Sequence, residues 1–288
     1  MAQAVRIDAH VHFWRYNASE YDWIDDSMAA LRRDFLPEHA AGEMRAAGID
    51  ACIVVQTRQT VEETRWLLAL AEQHPFIAGV VGWADLRAAD LDAHLEALSA
   101  HPKLVGIRHI VQAEPDDFLL GDAFQAGVAR LARHGLAYDV LVYARQLRAA
   151  IDFAGALPDQ RLVLDHLGKP DIRAGVFDSW RRDLDRLAAL PNVCAKLSGL
   201  VTEADWRHWP VEDLHRYINA ALDSFGPERL MIGSDWPVCT VAGGYGDVLE
   251  VVRTVIAGRP PGEREAVLGG TAQRFWNLSN VPSMERIK

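Results

Sequence analysis

The chain is short of cysteine, with three among 288 residues, at Cys52, Cys194 and Cys239. They are far apart and odd in number, which excludes a disulfide framework and a cysteine-rich zinc site. Cys52 and Cys194 fall inside apolar runs, where a buried structural thiol is expected. This usage points to a reducing, cytoplasmic setting. No apolar run reaches the ~20 residues of a membrane span. No basic stretch leads into an apolar one at the start, so no secretory leader is expected. Positive charge is also scarce. Lys and Arg number 30 against 40 Asp and Glu, a formal net charge of −10. That sign suits neither the nucleic-acid backbone nor an anionic membrane surface. Phosphate-cradling loops are missing: no Gly-x-Gly-x-x-Gly opens a helix, and no Gly-x-x-x-x-Gly-Lys-Ser/Thr occurs. Gly-x-Ser-x-Gly is absent too, which removes a nucleophile-elbow esterase.

What the sequence has is a recurring unit of short β-branched run, polar loop and longer helical stretch. The runs predict strands over Arg6–His10, Ala51–Gln56, Ile77–Trp83, Leu104–Ile110, Ala137–Val142, Leu162–Asp165, Val193–Leu197 and Leu230–Gly233. They are almost continuously apolar, as strands are when helices cover both faces of a parallel sheet. Helical spacing recurs between them, over Thr60–His74, Asp90–Ala100, Asp122–His134, Ala144–Ala154, Asp178–Leu190 and Val211–Phe225. Gly48 and Gly135 close helices, and Pro75, Pro102, Pro158, Pro191 and Pro227 fall between a helix and the next strand. About eight such units predict an α/β fold, a closed (β/α)8 TIM barrel, and the length suits it. No linker divides the chain, so residues 1–288 are expected to form a single barrel domain. Residues 13–36 are long and aromatic and read as a lid loop over the barrel mouth. The segment 269–276 reads as a final helix covering the barrel.

In a parallel barrel the active site lies at the C-terminal strand ends. Those ends here carry His10 and His12, Gln56 and Arg58, Trp83 and Asp85, Arg108 and His109, Asp139 and Tyr143, Asp165 and His166, Lys196 and Ser198, and Ser234 and Asp235. Ionisable groups on buried strand termini are costly without partners, so their number is itself a signal. His10 and His12, two residues apart, project to one side of a strand. Asp235 closes the last strand and would meet them if the sheet curls into a ring. Neutral imidazoles with a carboxylate suit a zinc-like ion or acid–base work. His166 adds a third imidazole. Arg108 offers a forked donor for an oxygen-rich ligand. Lys196, Tyr143, Trp83, His109 and the loop's Trp14 are further candidates for substrate contact.

The opening Ile7-Asp8-Ala9-His10-Val11-His12, the strand-six His166 and the closing Gly233-Ser234-Asp235-Trp236-Pro237 resemble the amidohydrolase superfamily over nearly the whole chain. More narrowly, Phe13-Trp14 after the opening, Asp165-His166-Leu167-Gly168-Lys169-Pro170 and Lys196-Leu197-Ser198-Gly199-Leu200 resemble its sugar-lactonase branch. The resemblance implies an enzyme that opens an L-fucono-lactone-like ring to the aldonic acid. Its roles would be Asp235 as general base, with His10, His12 and His166 polarising the carbonyl. Arg108, Lys196, Tyr143, Trp14, Trp83 and His109 would contact the substrate. Binuclear members carry a bridging lysine or glutamate on strand four and a histidine on strand five; this chain has Arg108, His109 and Tyr138-Asp139 there. A single divalent ion, zinc by its ligands, held by His10, His12, Asp235 and His166, is what remains, and the branch includes members that work without metal. The implied partner is a small-molecule lactone, with no nucleic acid and no membrane; a homo-oligomer is left open. Two other readings share these residues: a metal-dependent decarboxylase of the same superfamily, and a non-catalytic sugar- or metal-binding barrel.

Overall fold

Eight short strands, almost wholly apolar, pair in parallel in the order of the chain. They are β1 (Ile7–Val11), β2 (Ala51–Val55), β3 (Ile77–Gly82), β4 (Leu104–Ile110), β5 (Ala137–Leu141), β6 (Leu162–Leu164), β7 (Val193–Leu197) and β8 (Leu230–Ile232). The structure is a computed structural model and describes residues 4–279 and 281. Helices α1 (Pro37–Ala46), α2 (Val61–Gln73), α3 (Leu91–Ser99), α4 (Asp122–Arg130), α5 (Leu147–Ala156), α6 (Asp178–Ala188) and α7 (Val211–Phe225) connect successive strands, and α8 (Tyr245–Ile256) follows β8. The strands stop within two residues of the expected ends. The helix expected from Ala144 begins at Leu147, after a single 3-10 turn. The ring closes just beyond β8: Asp235 N donates to His10 O at 2.9 Å, and His12 N donates to Trp236 O at 2.7 Å. This is the single (β/α)8 barrel that the strand–helix alternation predicts.

Two apolar clusters follow from the two faces of the sheet. Ile7, Ala9, Ala51, Ile53, Val55, Val81, Ala137, Val163 and Met231 fill the barrel interior. Val11, Cys52, Val54, Val80, Ile107, Tyr138, Leu162 and Leu164 face the helices. The interior is closed at the end opposite the site by Ala272, Phe275 and Trp276, on and just after α10 (Thr271–Phe275), the last helix after the short α9 (Pro261–Glu265). The final segment therefore does cover the barrel, at its base.

One irregularity positions the chemistry. Ile7 and Ala9 point inward, so strict alternation would send His10 out toward the helices. The β1–β2 register shifts between Asp8 and Val11. Val11 then faces the helices, and the His10 ring lies inside, beside Lys196 and Asp165. A register break beside an active site is a recurring way to re-aim a side chain.

Within residues 13–36, Ser19, Glu20, Asp22 and Trp23 line a cavity with His12 at this end of the barrel. Trp14 and Phe35 exchange both backbone hydrogen bonds, at 2.8 and 2.9 Å. Trp14 is buried against Tyr21, Trp23 and Phe35. The aromatic residues of this loop are thus mostly its own core, with Trp23 left exposed.

Candidate active site

At the C-terminal strand ends is a cavity of about 580 Å³ with His12, Arg108, His166 and Asp235 at its floor. His12 Nε2 is 3.1 Å from His10 Nε2 and 3.3 Å from Asp235 Oδ1. Asp235 Oδ1 is also 3.7 Å from His10 Nε2 and 3.9 Å from His166 Nε2. Four side chains from three distant parts of the chain thus converge on one point.

The outer ring nitrogens are committed elsewhere. His12 Nδ1 lies 2.7 Å from the carbonyl of Val55, which can only accept, so the proton sits on Nδ1. His166 Nδ1 lies 2.9 Å from Ser198 Oγ. His10 Nδ1 is 3.4 Å from the Asp165 carboxylate and 3.2 Å from the Lys196 ammonium. Assigned from the Val55 carbonyl, the Nε2 atom of His12 carries a lone pair aimed at the Asp235 carboxylate. A bare lone pair facing a carboxylate repels it, and a cation relieves that repulsion. Donor atoms around a tetrahedral zinc at ~2.0–2.2 Å stand roughly 3.3–3.6 Å apart. The observed spacings bracket that range, and one donor atom each from His10, His166 and Asp235 lie within 4.8 Å of one another. These three therefore fit a single divalent ion, and His12 Nε2 stands beside two of them.

Electrostatics keep these groups in the needed forms. Burial lowers the His166 pKa to about 4, against the pull of Asp235. Burial, reinforced by the Lys196 charge, holds His10 well below the ordinary imidazole value. Burial would raise Asp235, yet His166, His12 and His10 together hold its carboxyl below the usual carboxylate range. His10 and His166 are thus neutral and Asp235 ionised near neutral pH.

The backbone here is strained. Of the five described non-glycine residues with positive φ, four are His166, Leu167, Lys169 and Asp235. Each such residue costs of order 1–3 kcal/mol, and strain of this kind collects at functional sites. Gly199, at φ +63°, is needed for a second reason: a Cβ there would lie 2.5 Å from His166 Nδ1.

Below the imidazoles sits a closed ionic layer. Arg108 Nη1 lies 3.0 Å from Asp165 Oδ2 and 3.3 Å from His10 Nε2, and Nη2 donates to the Gln56 carbonyl. Lys196 Nζ pairs with Asp139 and, at 2.9 Å, with Asp165. Burial pushes Asp139 up to about 6 despite Lys196. Burial would also raise Asp165, but Lys196 and His10 hold it well below the carboxylate range. These two cations occupy strand-four and strand-seven positions beside His10.

Of the six side chains expected to contact substrate, Arg108 lines the cavity and five do not. Lys196 is fully enclosed, because its charge is consumed by two buried carboxylates. His109 follows Arg108 on the strand and so faces the other way, pairing with Glu114 at 3.0 Å. Trp83 Nε1 leans on His109 at 3.5 Å, and Trp14 is buried in the loop's own core. Tyr143 stands behind Lys169, whose Nζ is 5.4 Å from its ring. In their place Glu20, Asp22, Arg58, Gln59, Gln112 and Lys169 supply the polar wall. Arg58 is among the groups expected at the strand ends but not assigned to substrate, and Lys169 sits in the strand-six motif, so sequence position could have found it too. The others come from loops whose path no spacing predicts.

Comparison with known proteins bears on the family and the fold. The pattern of the amidohydrolase family matches residues 7–278. A relative from Burkholderia multivorans named L-fucono-1,5-lactonase is 45% identical, over 96% of this chain and 97% of its own. Another L-fucono-1,5-lactonase, from Burkholderia ambifaria, is 39% identical over 95% of this chain and 96% of its own. The crystal structure of a Burkholderia multivorans amidohydrolase with bound zinc superposes with a TM-score of 0.91 at 44% identity, covering 96% of this chain and all of that one.

Proposed function

The chain belongs to the amidohydrolase family, and on that premise we propose that it hydrolyses the 1,5-lactone of L-fuconic acid, or a close sugar lactone, to the aldonic acid. The observation that carries this reading is the convergence of His10, His12 and His166 on Asp235, which with His12 and His166 lines one cavity, in a chain 45% identical to a lactonase over almost its whole length.

Asp235, held ionised, takes a proton from the attacking water as the oxygen adds to the lactone carbonyl carbon. The carbon–ring-oxygen bond then breaks, and Asp235 returns that proton to the departing ring oxygen. The products are a free hydroxyl and a carboxylic acid, which ionises at neutral pH. Atoms and charge balance with no other reactant. Arg108 Nη1, 3.3 Å from His10 Nε2, is a donor placed to stabilise charge growing on the carbonyl oxygen. His12 holds its proton on the outer nitrogen, so it serves this centre as a ligand rather than a donor. A divalent ion on His10, His12, His166 and Asp235 would supply Lewis-acid polarisation of the carbonyl when bound. Ser198 and the Val55 carbonyl orient the imidazoles, and residues 13–36 act as the lid that limits bulk water.

Ring opening releases a proton, so a pH-indicator assay over a panel of aldonolactones tests the reading directly. Acid release from L-fucono-lactone well above the spontaneous rate is expected, with one divalent ion per chain by elemental analysis. Acid release at the background rate for every lactone would refute it, and carbon dioxide release from an unsaturated carboxylate would establish the decarboxylase instead.

A further inference from the structure

The cations of the cavity wall are already spent. Three face the cavity, Arg58, Arg108 and Lys169, and three carboxylates face it too, Glu20, Asp22 and Asp235. Arg58 pairs with Glu20 at 3.0 Å across the mouth. Arg108 pairs with Asp165 beneath the floor. Lys169 Nζ lies 3.4 Å from Glu203 Oε1, and each of these side chains is about five-sixths buried (16% and 17% exposed). Glu203 stands on the 3-10 turn Val201–Glu203 after β7 and accepts weakly from Thr202 Oγ1 at 3.4 Å. Its only cation within ion-pair range among the described residues is Lys169. Burial raises the Glu203 carboxyl, and Lys169 pulls it back.

A ligand carboxylate placed at this wall would gain no unpaired cation. It would meet Glu203 behind Lys169 and Asp22 at the rim, and it would shed its water for nothing. A ligand of neutral hydroxyls meets a donor and an acceptor side by side, since an ammonium paired with a carboxylate still has N–H bonds to give.

We propose that Glu203 is a specificity-determining residue which, by pairing with Lys169, restricts the cavity to neutral polyhydroxylated lactones and rejects rings bearing a carboxylate. This rests on the sugar-lactone reading above and adds to it the charge class of the substrate. Glu203 acts through Lys169 and is a positioning residue. An ion at the imidazoles would draw the carbonyl end of the ligand and leave this wall unchanged.

The test uses two ligands that resist hydrolysis: a six-membered sugar lactam with an exocyclic methyl, and the same ring with a carboxylate in place of that methyl. Calorimetry on the whole protein gives the ratio of their dissociation constants, which does not depend on the fraction folded. The wild type is expected to bind the neutral ring at least tenfold tighter. Glu203→Gln frees the Lys169 charge, and the ratio should shrink several-fold through tighter binding of the carboxylated ring. Glu203→Asp should keep the wild-type preference. Lys169→Gln leaves Glu203 unpaired and should widen the ratio. Equal binding by the wild type, or a ratio that Glu203→Gln leaves unmoved, overturns the proposal. Acid release is scored separately: a protein that shows the expected ratio yet opens no lactone refutes the lactonase reading and upholds this one.

Discussion

Asp235 Oδ1 lies 3.3 Å from His12 Nε2, and the backbone of the same two residues helps to zip the barrel shut. Asp235 N bonds to His10 O, and His12 N to Trp236 O. Fold closure and assembly of the site are therefore one event. Replacing the carboxylate by its isosteric amide removes the base while leaving those backbone bonds. Asp235→Asn should lower kcat by about 10³-fold, within the range for a positioned general base, with an unchanged circular dichroism spectrum. Turnover within tenfold of wild type would remove Asp235 from that role.

Ser198 holds His166 by its outer nitrogen at 2.9 Å. Ser198→Ala deletes only this hydroxyl, so the ring keeps its place but loses the hydrogen bond that orients it. Loss of such outer partners typically costs about 10–100-fold in metal affinity or activity. A drop of that size in kcat, with stability changed by less than about 1 kcal/mol, is the expected outcome. Full activity would mean that packing against Gly199 alone orients the ring.

Lys196 is the keystone of the ionic layer rather than a ligand for substrate. Lys196→Met fits the volume but strands Asp139 and Asp165 with less positive charge. Removing one partner from a buried ion pair costs about 3–5 kcal/mol. Urea unfolding should register a loss of that order, and Asp139→Asn added to Lys196→Met should recover part of it.

The depressed histidine pKa values make stability fall with acid. An unfolded histidine titrates near ~6.5, and His166 in the fold near 4. Between those values the unfolded chain binds the extra proton and the folded one does not. The stabilisation is complete above about pH 6.5 and is lost as pH falls toward 4. His10, also lowered, acts in the same sense. Asp139, raised to about 6, acts oppositely, as do Asp8, Glu63 and Glu203, which burial also raises, so the histidine contribution is read by difference. Between pH 7 and 4.5 the urea midpoint of metal-stripped His166→Gln should decline less than that of the metal-stripped wild type. Equal declines in the two proteins would contradict a neutral, buried His166.

Much of this was legible in the residues themselves. Continuously apolar runs such as Ala51–Val55 have to be covered on both faces, and eight of them alternating with helices admit few folds. His10, His12, His166 and Asp235 were visible because ionisable groups at apolar strand ends need a reason. The wall of the cavity was not legible. Arg108 and His109 look equivalent in a string of letters, yet the pleat turns one inward and the other out. Lys196 reads as a substrate contact until Asp139 and Asp165 arrive from other strands to enclose it.

Sequence by itself determined the barrel and marked out the strand ends at which His10, His12, His166 and Asp235 stand, because periodicity and the cost of burying charge act along the chain. Tertiary structure alone decided that His10 faces inward, through a register shift in β1, and that each wall cation has a carboxylate already beside it. Those outcomes depend on which side chains from separate strands and loops come within ion-pair distance, and no spacing along one chain encodes that.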